Sequence, residues 1–538
     1  MVAGLGAVAV FTGVCAAVSG LSAGSASALP AGSTSVIEPG KAAVVGQLAG
    51  QATPGVPLLN DTTGTVNFDA GDLGIMWDDG DGHTMVAYGD SYGAGFQPAP
   101  GGGPASNDDH LCNTLARSGT SASSLSRTMS LSFVTGSSGS AQNMIPCATD
   151  SSAASIIPTG GISVNGKNYL DVMAVQDWGS TAGVWQTSYA ELAESGDDGQ
   201  TWTVQPTARW LNNSSCTDDF QQAALASHHG YVYLFGTPNG RFGNAYLARV
   251  PDAGIAAAAD YTYWTGTGWQ AGAGTAAIPV VSGPVAELSV QYNAGLRLWL
   301  MTYLDTPRNA IVLRYAQSPQ GPWSGQQVIV QPSDMPAGTS GIYGGFMHPW
   351  STATDLYLTV SSWYPYQVYL VHVPLAVGSG ALNLVSDGTF SDPMDGYSGT
   401  VAPASAFGWS SDGPAGVDVG LGNGNGTPDE GWTRNDNDVF NDLYQTISVV
   451  PDQDYSFSVW IRTSSTNVAA YAGVRNVAGT AFWQAGPIGS LSAYTEYTVQ
   501  FNSGNNPQVQ VFAGTWPQSG VDTWIQVDQF DLTSLHPR

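Results

Sequence analysis

Residues 70–93 read AGDLGIMWDDGDGHTMVAYGDSYG. A short apolar segment that starts at Leu73 is followed by a turn made almost wholly of Asp and Gly, and a second apolar segment ends at Tyr88. Two such segments on either side of a Gly/Asp turn are typical of a β-hairpin. We therefore predict a hairpin centred on Asp81.

The same unit returns four more times along the chain. Each copy has a short apolar strand, a turn rich in Gly, Asn or Asp, and a second strand rich in β-branched and aromatic residues. The five copies are Leu73–Tyr88, Ile162–Val175, Ala223–Gly236, Leu288–Tyr303 and Thr352–Trp363. Repetition at this spacing is typical of propeller blades, whereas a β-sandwich would not explain the fivefold return. We predict an all-β chain with a five-bladed β-propeller over residues 61–376.

A turn motif in the second blade supports the propeller. Residues 195–202 fit the pattern Ser-x-Asp-x-Gly-x-Thr-Trp, the Asp-box hairpin found in sialidase-type propellers. There the Asp side chain ties the turn and the Trp packs between blades. We expect Asp197 and Trp202 to take these structural roles.

Composition limits the classes of function. The 538 residues hold 14 Lys and Arg against 41 Asp and Glu, and the net charge of -27 would repel a phosphate backbone, so nucleic acid is not an expected partner. Only 10% of residues are charged, which suits an extracellular all-β protein that handles neutral polymers. The length predicts two domains.

The first 28 residues are apolar and close on the small residues of positions 26–28, a pattern that signal peptidase accepts. We expect a secreted, extracellular protein with a signal peptide over 1–28 and an N-terminal extension over 29–60. No later segment has the length to span a bilayer, so no membrane partner is expected. Three cysteines follow the signal region. In an exported protein we favour a Cys112–Cys147 disulfide, while either pairing with Cys216, or three free thiols, remains open.

Two carboxylates flank the first hairpin. Asp72 begins its first strand and Asp90 ends its second, and a regular hairpin makes them cross-strand neighbours at its open end. Glycosidic cleavage needs one acid to protonate the departing oxygen and a second carboxylate to activate water or attack the sugar. Because Asp90 lies between Tyr88 and Tyr92, in the more apolar surroundings, we expect Asp90 to be the acid and Asp72 the base.

Alignment of the other hairpins on the first extends the site. We expect these residues to converge on one funnel and bind substrate, with aromatic rings stacking on sugar C–H faces. The set is Glu287, Gln176, Asp177, His348, Trp363, Tyr364 and Tyr92.

These motifs resemble a known family. The segments Asp72–Trp77, Tyr88–Gly93, Ala286–Tyr292, Trp299–Tyr303 and Ser361–Trp363 are similar to glycoside hydrolase family 183, formerly the unknown-function family 4185. The resemblance covers about residues 60–375. It implies an endo-D-arabinanase that cuts α-linked D-arabinofuranose chains of mycobacterial arabinogalactan and lipoarabinomannan with inversion, with paired acids that match Asp72 and Asp90 and no cofactor for catalysis. Another propeller glycosidase, such as an L-arabinanase, and a non-catalytic wall-binding protein are the alternatives.

The last part of the chain, residues 383–538, has a separate pattern. Its opening Asn383–Phe390 resembles the first strand of carbohydrate-binding jelly rolls of families 4 and 9, and Ile525–Leu532 resembles their last. The terminal strands of such modules pair and often share a structural calcium. We therefore predict a β-jelly-roll, with Asp387 and Asp528 as candidate ligands of a structural Ca²⁺.

Overall fold

The computed structural model describes residues 34–105, 109–147, 153–272, 274–392, 401–403, 405, 408–413, 417–421, 423–435, 439–464, 468–517 and 522–535. The predicted signal peptide lies outside these residues. In the described part of the chain, helical structure is limited to single 3₁₀ turns. These are Ala122–Ser124, Asp252–Gly254, Ala258–Asp260, Gly274–Ala276 and Pro332–Asp334. No helix among the described residues is long and apolar enough to cross a membrane.

The described chain begins with two short strands whose partner comes from the far end of the propeller. They are β1 (Thr34–Pro39) and β2 (Ala43–Gln47).

The first two blades follow. Blade 1 consists of β3 (Ala70–Asp78), β4 (Thr84–Tyr92), β5 (His110–Leu111), β6 (Thr114–Ser118) and β7 (Ser132–Phe133). Blade 2 consists of β8 (Ser155–Val164), β9 (Lys167–Asp177), β10 (Gln186–Ser195) and β11 (Thr203–Leu211).

Blades 3 to 5 complete the ring. Blade 3 holds β12 (Gln222–His228), β13 (Tyr231–Thr237), β14 (Tyr246–Pro251), β15 (Thr262–Trp264) and β16 (Trp269–Ala271). Blade 4 holds β17 (Ala286–Asn293), β18 (Leu298–Asp305), β19 (Ala310–Ala316) and β20 (Gln327–Val330). Blade 5 holds β21 (Ser340–Met347), β22 (Asp355–Tyr364) and β23 (Gln367–Gly380).

The inner strands close a ring of five blades. Strand β3 contacts β8 on one side and β21 on the other, while β12 contacts both β8 and β17, and β17 contacts β21. Each sheet is therefore buried on both faces between its neighbours. All eight residues of β18 are buried, which explains why the strands read as continuous apolar runs rather than as alternating ones. The predicted five-bladed propeller is confirmed.

The Asp-box turn has the expected form. The Asp197 carboxylate accepts hydrogen bonds from the Ser195 hydroxyl (2.8 Å), the Thr201 amide (2.9 Å) and the Thr201 hydroxyl (2.6 Å). Trp202 packs against the propeller core. The motif ties the turn, as its sequence predicts.

The fifth blade differs from the prediction. Its first hairpin is made of β21 and β22, with Ser340 opposite Tyr364, so the inner strand lies before the predicted Thr352–Trp363 unit. Strands β1 and β2 both pair with β23. Residues 34–47, which the sequence interpretation placed in an N-terminal extension, therefore supply the outer strands of blade 5. Pairing the first strands with the last blade joins the two ends of the ring.

The C-terminal part is a sandwich of two antiparallel sheets. Its strands are β24 (Val401–Pro403), β25 (Ser410–Asp412), β26 (Val417–Leu421), β27 (Asp429–Asn435), β28 (Asn441–Ser448), β29 (Asp454–Thr463), β30 (Val468–Asn476), β31 (Phe482–Ile488), β32 (Thr495–Asn502), β33 (Gln508–Pro517) and β34 (Thr523–Ser534). One sheet has the order β24-β26-β27-β34-β29-β32 and the other β25-β28-β33-β30-β31. Burial alternates along β29, because one side faces the core and the other does not.

The predicted opening strand of this module does not form. Residues 383–390 are irregular, although Leu384 donates a backbone hydrogen bond to Leu532 (2.9 Å). Phe390 is fully buried against Trp409 and Phe530. The apolar pattern of this segment therefore reflects core packing by a turn rather than pairing in a sheet.

Candidate active site

The first hairpin brings the two predicted acids together. Asp78 pairs with Thr84 and Ile75 with Ala87, which centres the turn on Asp81 as predicted. Two irregularities follow, because Leu73 pairs with Tyr88 and Gly71 with Ser91. The first adds a residue to β3 and the second adds one to β4, so they cancel. Asp72 therefore still lies opposite the Gly89-Asp90 step.

The local backbone at Asp72 is unusual. Leu73 has a φ of 67° and Gly74 a φ of 73°, and the Leu73 amide donates to the Ser361 hydroxyl (2.8 Å) of the neighbouring blade. A Cβ on Gly89 would lie 2.5 Å from Asp72 Oδ1. Glycine at position 89 therefore leaves the space that the Asp72 carboxylate occupies.

The Asp72 carboxylate is held by two tyrosines of blade 5. Tyr343 and Tyr366 donate their hydroxyls to Oδ2 at 3.0 and 2.9 Å. Burial raises the pKa of Asp72 to about 7, with a further contribution from the charge of Asp90, while the two tyrosine hydrogen bonds oppose the rise. Near neutral pH the carboxyl can therefore carry a proton and give it up.

Asp90 has a different environment. Its carboxylate lies 2.8 Å from His110 Nε2, and the ring of Tyr92 stacks on His110 with centroids 5.0 Å apart. The hydrogen bond to Asp90 raises the pKa of His110. Two residues beyond His110, the Cys112–Cys147 disulfide ties this short strand to a later loop, which confirms the favoured pairing.

Glu287 begins the inner strand of blade 4 at the position that corresponds to Asp72 in blade 1. Arg241 binds its Oε1 with two nitrogens, Nη2 at 2.6 Å and Nε at 2.7 Å. The guanidinium lies between the rings of Trp185 and Tyr343, 5.7 and 5.2 Å from their centroids. The pair is thus a fixed polar wall, because both partners are held in place from several directions.

These groups line one cavity of about 790 Å³ at the mouth of the propeller. Five polar atoms on its walls are buried and have no hydrogen-bond partner in the described part of the structure: Asp72 Oδ1, Ser155 Oγ, Trp185 Nε1, Glu287 Oε2 and Thr306 Oγ1. Buried polar groups in folded proteins are otherwise nearly always paired. The cavity therefore offers donors and acceptors to a ligand that is itself rich in both.

Five of the nine predicted catalytic and sugar-binding residues line this cavity. They are Asp72, Asp90, Tyr92, Glu287 and Trp363. The Trp363 side chain is 44% exposed, and the loop that carries Gly102 and Gly103 packs directly against its ring. Trp363 therefore presents an accessible aromatic face at the rim.

The other four predicted residues do not line the cavity. Gln176 and Asp177 are exposed at the end of β9, and Tyr364 is exposed beside Trp363. The wall of blade 2 comes instead from the loop after β9, where Trp178 and Trp185 reach the cavity. Successive side chains at a strand end point in different directions, so a shift of one or two residues changes which one faces the site.

His348 lies at the other end of the propeller. It is fully buried and lies 3.4 Å from the hydroxyl of Thr84, at the turn end of the first hairpin. Burial lowers its pKa to about 3, so the ring is neutral. The sequence interpretation placed His348 before the first strand of blade 5. In the structure His348 follows that strand, and it therefore lies at the end of the propeller opposite the cavity.

Several site residues carry no local signal in the sequence. Tyr343, Tyr366, His110 and Arg241 belong to three different blades. Tyr343 and Tyr366 reach Asp72 only when the ring closes. His110 reaches Asp90 within blade 1 because β5 pairs with β4, and Arg241 reaches Glu287 from the neighbouring blade. Trp178 could have been found from its place after a second blade strand, which is the signal that identified Trp363.

The two candidate calcium ligands have different partners. Asp387 faces the guanidinium of Arg308, whereas Asp528 accepts hydrogen bonds from the amides of Asn425 and Gln529, each at 2.6 Å. Because the guanidinium of Arg308 occupies the place of a cation beside Asp387, that residue does not fit the predicted calcium. Among the described residues, the one group of three metal-ligand side chains is His110 with Cys112 and Cys147, and the disulfide takes both sulfurs.

Comparisons with known proteins agree with the extent of the propeller. Residues 59–372 match the family described as domain of unknown function DUF4185. Notoamide biosynthesis cluster protein J of Aspergillus sp. (strain MF297-2) is 34% identical over 216 residues, which cover 39% of this chain and 56% of that protein. Protein J' of Aspergillus versicolor is 34% identical over 215 residues, 39% of this chain and 57% of its own. The chain thus spans little more than half of the length of these relatives.

Two solved structures are similar to this chain over most of its length, at low identity and low TM-score. A glycoside hydrolase family 43 arabinoxylan arabinofuranohydrolase from Bacillus subtilis is 11% identical, with a TM-score of 0.36 and coverage of 91% of this chain and 99% of that one. An exo-β-1,3-galactanase from Phanerochaete chrysosporium is 12% identical, with a TM-score of 0.35 and coverage of 90% and 99%. The family match, which covers more than half of the chain, identifies it: this protein is a member of the DUF4185 family.

Proposed function

We propose that this protein is a secreted, endo-acting glycoside hydrolase. It cleaves internal bonds of α-linked D-arabinofuranose chains, such as those of mycobacterial arabinogalactan and lipoarabinomannan. The observation that carries the proposal is the cavity wall, which holds two opposed carboxylates, Asp72 and Asp90, and five buried polar atoms without partners. A polysaccharide supplies both the glycosidic bond that paired acids cleave and the hydroxyls that unpaired donors and acceptors bind.

Asp72 is the general acid in this proposal. Its pKa of about 7, raised by burial, keeps a proton available for the departing glycosidic oxygen near neutral pH. This assignment reverses the sequence interpretation, which gave the more apolar surroundings to Asp90. The structure places those surroundings around Asp72, because Tyr343 and Tyr366 of blade 5 close over it.

Asp90 is the general base. Its carboxylate takes a proton from a water molecule as the water oxygen attacks the anomeric carbon, and His110, which can donate to that carboxylate, holds it in place. The bond from the anomeric carbon to the departing oxygen breaks as the new bond to water forms. Attack from the face opposite the leaving group inverts the anomeric carbon.

The D-arabinan substrate rests on the resemblance to glycoside hydrolase family 183, and four of the five segments that carry the resemblance contribute residues to the cavity wall. Export is supported by the Cys112–Cys147 disulfide, because such bonds persist in oxidising compartments outside the cytosol.

The direct test is incubation of the purified protein with arabinogalactan, followed by analysis of released oligosaccharides. We expect a ladder of arabino-oligosaccharides from the unmodified protein and none from Asp72→Asn. A matched control is Asp81→Asn, at the opposite end of the same hairpin and exposed, which should keep full activity. Cleavage of L-arabinan but not of D-arabinan would point to another propeller glycosidase, and binding without cleavage to a wall-binding protein. Either result would overturn the proposal.

The stereochemistry is tested separately. Proton NMR early in hydrolysis should show the β-anomer first from α-linked arabinan, because an inverting site leaves room of about 6.5 to 9.5 Å between its carboxyl groups for a water molecule. An α-anomer as first product would make one carboxylate a nucleophile instead.

A further inference from the structure

One short turn connects the cavity with the C-terminal sandwich. The turn joins β18 to β19, and its Thr306 and Asn309 line the cavity. The Asn309 amide donates to the Thr306 carbonyl at 3.2 Å, and Thr306 Oγ1 is one of the five buried cavity atoms without a hydrogen-bond partner. The conformation of this turn thus decides where one polar wall of the site lies.

Arg308 lies between these two residues in the sequence, but its side chain contacts the C-terminal module instead of the cavity. Arg308 is fully buried, and its guanidinium forms ion pairs with two carboxylates of the segment that opens the C-terminal module. Nη1 lies 2.7 Å from Asp392 Oδ2 and Nη2 lies 3.8 Å from Asp387 Oδ2. The turn therefore has one face on the cavity and one face on the other domain.

The guanidinium is enclosed. Asp305 of the propeller lies 3.6 Å from Nε, and a Cβ on Gly408 of the C-terminal module would lie 3.0 Å from Nη2. Burial raises the pKa of Asp387, and the neighbouring Asp392 adds to the rise while Arg308 opposes it. Three acidic side chains thus share one cation, and that cation fixes the turn because no solvent can replace it.

We propose that the C-terminal sandwich is part of the substrate-binding unit, with Arg308 as the positioning residue that holds the 306–309 turn against the cavity. The proposal rests on the proposed function only for the identity of the sugar that Thr306 contacts. The role of Arg308 in holding the 306–309 turn does not depend on which sugar binds.

The same two domains meet at a second contact that does not involve the cavity. Ser282 of the propeller hydrogen-bonds with Ser448 (3.0 Å) and accepts from Gln508 (2.8 Å) of the sandwich. Ser282→Ala therefore weakens the interface without touching the turn, which makes it the matched control.

The test variant is Asp392→Asn in the full chain. It removes the charge at the shortest ion pair of Arg308 and keeps the shape of the side chain. We expect amide hydrogen exchange at Asn309 to become faster, whereas Ser282→Ala should leave it unchanged. For arabino-oligosaccharides we expect KM to rise about three- to tenfold, the value of one hydrogen bond, with kcat within about twofold.

A double variant shows whether the effect passes through the turn. In a Thr306→Val background, Asp392→Asn should cause no further rise in KM, because the contact that it positions has already been removed. Unchanged exchange at Asn309, or effects of the two substitutions that add, would overturn the inference. If the unmodified protein neither binds nor cleaves D-arabinan, the proposed function fails, and the exchange comparison still decides whether Asp392 holds the turn.

Discussion

Replacement of Tyr366 by Phe removes one of the two hydroxyls that donate to Asp72 Oδ2. The Tyr366 ring is 1% exposed and its hydroxyl lies 2.9 Å from the carboxylate, so the substitution removes the donor and keeps the packing of the ring. Tyr343, at 3.0 Å, remains as the second donor. The variant thus changes one interaction of the ionised acid.

The size of the effect follows from that interaction. A hydrogen bond to a charged group contributes about 1.5 to 3 kcal/mol, and about 1.4 kcal/mol corresponds to one pKa unit. The lost bond stabilises the ionised form, so its loss raises the pKa of Asp72 from about 7 by about one to two units. An acid must be protonated to act, so activity that is lost as pH rises through this pKa should persist to higher pH in the variant.

The assay is the pH profile of kcat/KM on a soluble arabino-oligosaccharide. Tyr369→Phe is the matched control, because Tyr369 is equally buried, lies in β23, the strand that begins directly after Tyr366, and shares a hydrogen bond with Thr53 (2.8 Å) away from the acids. We expect the alkaline limb to move upward in Tyr366→Phe and to stay in place in Tyr369→Phe. A limb that stays in place, or moves downward, in Tyr366→Phe would refute Asp72 as the titrating acid.

Three further changes have defined outcomes. Asp90→Asn should lower kcat about 10²- to 10⁴-fold in steady-state assays with an unchanged circular dichroism spectrum, since it removes the base and keeps the shape; near-normal turnover would remove Asp90 from the mechanism. Glu287→Gln should raise KM more than it lowers kcat, because it weakens the Arg241 wall and not the acid pair; a loss confined to kcat would contradict a binding role. The double variant Cys112→Ser with Cys147→Ser opens a loop with a sequence separation of 35 and should lower the free energy of unfolding by about 3 to 4 kcal/mol in denaturant titrations; equal stability would show that the disulfide does not constrain the unfolded chain.

The sequence alone predicts the local features of the propeller. The hairpin centred on Asp81, the return of that hairpin in the first four blades, and the placement of Asp72 opposite Asp90 all depend on residues close in the chain. Apolar runs separated by Gly and Asp turns determine these features, because strand pairing across a short turn is set by nearby residues. The two irregularities in β3 and β4 leave the pair opposite because they cancel.

Tertiary structure decides what surrounds those acids. Tyr343 and Tyr366 come from blade 5 and meet Asp72 only when blade 5 packs against blade 1 in the closed ring. Arg241 comes from blade 3 and meets Glu287 of blade 4. A one-strand error in the fifth blade was enough to put His348 at the wrong end, because antiparallel strands reverse direction at each turn. The pKa of Asp72, and with it the assignment of acid and base, depends on burial by residues almost 300 positions away, which no local pattern encodes.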